Sequence, residues 1–131
     1  MLAKPAITLK PGRYRSYIAA AGVSDLLGMF SWNGLSELSM RTGESACLRM
    51  RNDGVTLSPR FTLAEDFSRG MVPRFNDSAE VAPQRLELIR AGKLENCLVS
   101  SRTAREYGLE SNFADEQEYL CSTLMEPGDL D

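Results

Sequence analysis

Histidine is absent from this 131-residue chain. That absence removes the commonest general base and the commonest metal ligand, and with them any Ser-His-Asp or Cys-His arrangement. Cysteine is scarce: Cys47, Cys97 and Cys121 are odd in number and widely spaced. This pattern excludes a Cys-x-x-Cys metal site and a paired disulfide framework, so the three read as buried free thiols. No run approaches the roughly 18 apolar residues of a membrane span. The N-terminal MLAKPAITLKPG is broken by lysines and prolines and has no apolar core of signal-peptide length. The expected location is therefore cytoplasmic, with no membrane partner. Basic excess is also missing, since 15 Lys and Arg stand against 18 Asp and Glu, a net charge of -3. Direct nucleic-acid binding has no electrostatic footprint here. Gly70, Gly92 and Gly108 are isolated, so there is no glycine-rich phosphate loop.

What is present is ordinary globular composition, 43% hydrophobic and 25% charged, enough for one domain with one core. Residues 1–12 read as a linker limited by Pro5 and Pro11. Tyr14 to Ala19 alternates as a strand with aromatics on both faces. The period then changes: Val23, Leu26, Leu27 and Phe30 form one helical stripe. Leu38 continues it and Arg41-Thr42-Gly43 stops it, predicting a helix of ~15–20 residues that can break near Asn33-Gly34. Gly28 and Gly34 in this stretch call for a packing reason, such as close approach to a sheet.

From Ser45 to Arg51 the pattern reads as a half-buried strand, with Arg49 and Arg51 on its solvated face. Asn52-Asp53-Gly54 reads as a turn, Val55 to Leu57 as the return strand, and Arg60 to Ala64 as another short strand. Glu65 to Pro83 reads as a long ordered loop. Arg85 to Arg90 and Leu94 to Ser100 read as a hairpin around Ala91-Gly92-Lys93, followed by a short helix from Ser101 to Gly108. After Leu109 hydrophobicity thins, and Ala114–Glu118 and Glu126–Asp131 read as frayed, acidic segments. The predicted class is α+β: a mainly antiparallel sheet with one principal helix and a short second helix.

Several segments carry a resemblance. Lys10 to Trp32, KPGRYRSYIAAAGVSDLLGMFSW, resembles the PG-x-Y-x-V-x-L-x-P-E-A-V-x-x-L-L pattern of the TldD/PmbA (TldE) metallopeptidase family, whose members are also described as modulators of DNA gyrase. LSMRTGES (38–45), LSPRFTLAEDF (57–67), FNDSAEVAPQRLELIRAGKLENCLVSSRTAREYGLESN (75–112) and TLMEPGDLD (123–131) are similar to family segments in the same order. The likeness is collinear over ~120 residues, although no single piece is diagnostic. It departs from the family at Ala20-Ala21, where Pro-Glu is usual, and at Ser78-Ala79-Glu80, where a glycine is usual.

The resemblance implies a partial C-terminal domain over residues 13–131, without the family's N-terminal α/β region. Catalytic members carry a His-Glu-x-x-x-His zinc motif on the first helix. The corresponding first ligand, base and last ligand are Ala20, Ala21 and Asp25, so the resemblance is to the non-catalytic, PmbA-like subunit type. Its implied partner is a TldD-like catalytic subunit, and the complex would act on unfolded peptides. No catalytic, metal-binding or cofactor-binding residue is expected in the chain, and no cofactor. A stand-alone binding module, possibly homodimeric, is the alternative. Enzyme activity of the chain alone is left open only through serine or carboxylate chemistry. That would draw on Ser100 or Ser101 with Lys93, or on pairs among Asp53, Asp66, Asp77, Glu80 and Asp115, residue types that more often serve turns. Asp25 reads as a first-turn carboxylate favoured by the helix dipole. Phe30 reads as core, while Trp32, off the stripe, fits either core or a partner or peptide contact.

Overall fold

β1 (Leu63–Asp66) is the strand around which the fold is built, and its Leu63, Ala64 and Glu65 are fully buried. The structure, a computed structural model, describes residues 7–127. β1 lies between β2 (Arg85–Arg90) and β4 (Thr123–Met125), and the two-residue β3 (Lys93–Leu94) completes a sheet of order β3-β2-β1-β4. Every pairing is antiparallel. Leu63, Leu88, Ile89, Leu98, Leu35, Met50 and Ala114 form the main core, and Phe67, Ala82 and Phe113 a smaller one. The α+β class and the mainly antiparallel sheet agree with the sequence.

The β2–β3 hairpin forms because Ala91 (φ 46°) and Gly92 (φ 78°) both take positive φ, the geometry a two-residue turn requires. Glycine is obligatory at 92 for a second reason. A Cβ there would lie 2.4 Å from the Leu57 carbonyl oxygen. Val55 to Leu57 is therefore no return strand; it is irregular chain held against the hairpin tip, with Leu57 N–H donating to Gly92 O at 2.9 Å.

The principal helix divides where Asn33-Gly34 suggested. α1 (Ala20–Ser31) ends in a turn with Asn33 at φ 61°, and at Gly34 a Cβ would lie 2.9 Å from Phe30 O. Gly28, by contrast, has nothing near its missing Cβ, so the expected close approach to a sheet is not the reason for it. α2 (Glu37–Thr42) restarts on a Ser36 cap and stops at Gly43, φ 82°. Leu27 and Phe30 of α1 pack on the core, and Phe30 stacks on Phe61 with ring centroids 5.8 Å apart. Asp25 lies beyond the first turn, which holds no acidic residue, so its expected dipole role does not apply.

Other segments also depart from expectation. Ser45–Arg51 is a turn and then a helix, α3 (Leu48–Asn52). The alternation spans too few residues to fix a period, Leu, Arg and Met favour helix, and the Ser45 hydroxyl accepts from Cys47 N–H at 3.0 Å. Arg51 consequently faces Glu37 and Cys97. After β3, the chain to Ser100 makes only isolated bridges, Leu98 to Ser36 and Ser100 to Ala114, before α4 (Ser101–Tyr107) starts on a Ser100 cap. The expected loop at Glu65 begins two residues inside β1. Of the segments expected to fray, 114–118 supplies the buried Ala114 and Glu118, and β4 lies between that segment and the acidic end; residues 128–131 and 1–6 lie outside the described range. Of the cysteines only Cys97 is buried, Cys47 is half-buried and Cys121 exposed. Tyr14 to Ala19 forms no strand, because strand-prone residues form one only beside an edge.

Candidate functional site

α1 and β4 enclose an open groove of ≈ 540 Å³. Val23, Leu27 and Gly28 face it from the helix, and Thr123, Leu124 and Met125 from the strand. β4 is the outer strand of the sheet. Asp66 N–H donates to Ser122 O (2.9 Å) and Glu126 N–H to Thr62 O (3.2 Å), so residues 122, 124 and 126 turn their backbone groups toward β1. Thr123 and Met125 must then turn theirs outward, beside the groove.

One carboxylate holds that edge in register. Glu65, on β1, accepts from the backbone N–H groups of Cys121 (3.0 Å) and Ser122 (2.7 Å), from the Cys121 thiol (3.1 Å) and from the Thr123 hydroxyl (3.3 Å). Burial, then the Glu65 carboxylate, pushes the Cys121 thiol up to about 12, so it is a donor here and a poor nucleophile.

A second buried carboxylate, Glu118, joins the starts of two helices. It accepts from the Ser36 hydroxyl and Leu38 N–H (3.0 Å) at α2, and from Ser100 N–H (3.0 Å) and hydroxyl (3.1 Å) at α4. Burial raises its pKa, but the bonds from Ser100, Ser36 and Leu38 outweigh that and hold it below the usual carboxylate range. Glu37 and Glu80 behave alike. Burial is opposed at Glu37 by Arg51 and Arg41, and at Glu80 by Ser101, Ser111 and Asn76. Carboxyls depressed below the ordinary 4.5 contribute stability that is complete above that value and lost as pH falls through the folded values. Thermal melts should therefore show a Tm flat above pH 4.5 and falling steadily below it.

The serine and carboxylate groups offered by the sequence are engaged in other contacts. Ser100 and Ser101 donate to Glu118 and Glu80 rather than meeting Lys93. Asp66 accepts from Ser68, Asp53 pairs with Arg49, and Asp115 accepts from Tyr119 N–H. Trp32 is 77% exposed, which removes it from the core. At the positions that the sequence resemblance matches to a zinc motif, Ala20 and Ala21 supply only methyl groups, and Asp25 stands exposed on α1. A zinc ion needs about three N, O or S ligands converging on one point. Among the described residues no group of His, Cys, Asp or Glu could hold a metal, and zinc does not fit this helix.

A family profile described as the PmbA/TldA metallopeptidase C-terminal domain matches residues 11–130. The chain belongs to that family. Two solved structures share the fold of this PmbA/TldA-type domain. One is a protein of Bacteroides thetaiotaomicron described as a candidate modulator of DNA gyrase, with TM-score 0.60, 18% identity, and coverage of 80% of this chain and 23% of that one. The other is a similarly described protein of Thermotoga maritima, with TM-score 0.60, 17% identity, and coverage of 80% and 25%. The chain thus spans about a quarter of each. No curated protein gives a match. Among the described residues, no helix is long and apolar enough to cross a membrane.

Proposed function

We propose that this PmbA/TldA-type domain is a non-catalytic module of a two-component metallopeptidase. It would assemble with a TldD-like subunit that carries the zinc and would help shape a cleft for unfolded peptides. One observation carries the reading: where catalytic relatives would place ligands, α1 offers Ala20 and Ala21 and then small and apolar groups facing a strand edge. An edge with outward N–H and C=O groups, beside a groove lined by Val23, Leu27 and Leu124 together with Ser24, Ser31 and Arg69, suits an extended peptide, which adds as a strand and seats alternate side chains. The cytoplasm is the expected compartment, with no direct role for nucleic acid; the gyrase descriptions belong to the two relatives.

The test is co-purification with a histidine-bearing TldD-type subunit, followed by an assay on an unfolded peptide. Activity is expected only with both chains present. Stoichiometric zinc and peptidase activity in this chain alone would sink the reading. The stand-alone module remains the second reading, favoured by the exposed apolar residues along 7–18, among them Ile7, Leu9 and Tyr17.

A further inference from the structure

We propose that Arg69 gives the groove beside β4 a preference for extended peptides that carry an acidic side chain, with a glutamate or aspartate of the added strand as its partner. The inference rests on the peptide reading above and adds the substrate class. Arg69 is the one charged residue, among the described residues, that lines the groove between α1 and β4. It also lines an adjoining hollow of ≈ 190 Å³ beside Met71, Cys121 and Thr123, so it stands where the two open spaces meet at the start of β4. Its backbone is held in place. Phe67, in the same short 3-10 turn (Phe67–Arg69), is buried and meets Phe113 edge-on with ring centroids 5.0 Å apart. Gly70, at φ 67°, stops the turn, and its N–H donates to Phe67 O. The exposed guanidinium therefore extends from a fixed root.

Charge selects the occupant. Among the described residues Arg69 makes no ion pair, and the neighbouring carboxylates are engaged elsewhere. Glu65 is buried and accepts from Cys121, Ser122 and Thr123. Asp66, the carboxylate that feels the charge of Arg69, accepts from the N–H and the hydroxyl of Ser68. Glu126 pairs with Arg85. A guanidinium offers only donors, in a fork that matches a carboxylate, so a basic side chain in this groove would meet like charge and no acceptor on it. The matching carboxylate belongs to a side chain rather than to a chain end. Capture of a terminal carboxylate uses a nest of free backbone N–H groups. Around Arg69 such groups are spent: Asp66 N–H donates to Ser122 O, Phe67 and Ser68 N–H to Gln84 O, and Gly70 N–H to Phe67 O. In an added strand, by contrast, every second side chain turns toward the groove, and one beside Thr123 comes to Arg69.

The test uses this chain and fluorescent, Thr- and Ser-rich peptides, blocked at both ends, that differ only in a central Glu, Gln or Lys. Fluorescence anisotropy should show the Glu peptide binding about fivefold tighter than the Gln peptide, the scale of a partly exposed Arg–carboxylate contact, with the Lys peptide weakest. Arg69→Gln should bind the Glu and Gln peptides alike, and Arg69→Glu should reverse the order in favour of Lys. Both variants should melt as the wild type does, because Arg69 is exposed. The bound Glu peptide should also slow amide exchange at Thr123 and Met125, which a contact elsewhere on the surface would not do. Equal affinity for the Glu and Gln peptides, or a Glu preference that survives in Arg69→Gln, overturns the acidic preference and leaves the peptide reading standing. A Gln peptide whose free C-terminus adds affinity that Arg69→Gln removes would assign Arg69 to chain ends and overturn it too. Absence of binding by every peptide overturns the peptide reading and this inference together.

Discussion

Glu118→Ala is expected to destabilise the fold by about 3–5 kcal/mol, seen as a drop in Tm of roughly 10–20 °C. The carboxylate accepts four hydrogen bonds, two from serine hydroxyls and two from backbone N–H groups. The hydroxyls of Ser36 and Ser100 can rotate toward other acceptors. The N–H groups of Leu38 and Ser100 are fixed by α2 and α4, and each unsatisfied donor costs about 1–3 kcal/mol. The buried side chain also leaves a cavity when truncated. Small domains hold only ~5–15 kcal/mol in total, so the variant should be partly unfolded near body temperature. Glu118→Gln separates the effects: it keeps the volume and one carbonyl acceptor but turns an NH2 toward other donors. Its loss should fall between the wild type and alanine, and its Tm should no longer follow pH as steeply below 4.5. Equal melting of all three proteins would show that Glu118 does not tie the helix starts together.

Why the sequence concealed this residue is a matter of range. Asp115-Glu116-Gln117-Glu118 looks like a solvated acidic stretch, and nothing local separates Glu118 from its neighbours. Only the folded chain brings Ser36 and Ser100 to it, with Glu118 at φ 56° to aim the side chain inward. Local signals were legible where local forces decide: the RLELIR strand, the Ala91-Gly92 turn, the α1 helix and the Gly43 and Gly108 stops all appear, whereas of the expected α1 stripe Leu27 and Phe30 pack on the core and Leu26 is exposed. Short apolar-polar alternation was ambiguous at Ser45–Arg51, where helix propensity prevails after a turn in which Cys47 N–H donates to the Ser45 hydroxyl. Tyr14–Ala19 has strand composition but no edge beside it in the single chain. The candidate site was half legible. Ala20, Ala21 and Asp25 could be placed on α1 from the pattern, whereas the groove needs β4, three residues in a stretch of thin hydrophobicity.

Glu65→Ala should release that same edge before it unfolds the rest. β4 is short, pairs with β1 alone among the described residues, and is anchored by donors from Cys121, Ser122 and Thr123 to this one side chain. Removing the acceptor strands two backbone N–H groups at about 1–3 kcal/mol each, a cost the segment can avoid by opening locally to water. An opening penalty lowered by about 3 kcal/mol corresponds to roughly a hundredfold faster amide exchange. That acceleration should concentrate at Ser122 to Met125, while Leu88 and Ile89, inside the main core, change far less. The variant then distinguishes a latch from a general core residue: uniform acceleration over the whole sheet would assign Glu65 to global stability alone. Selective release would make one buried carboxylate the element that holds the β4 edge in place, and the proposed peptide contact depends on that edge.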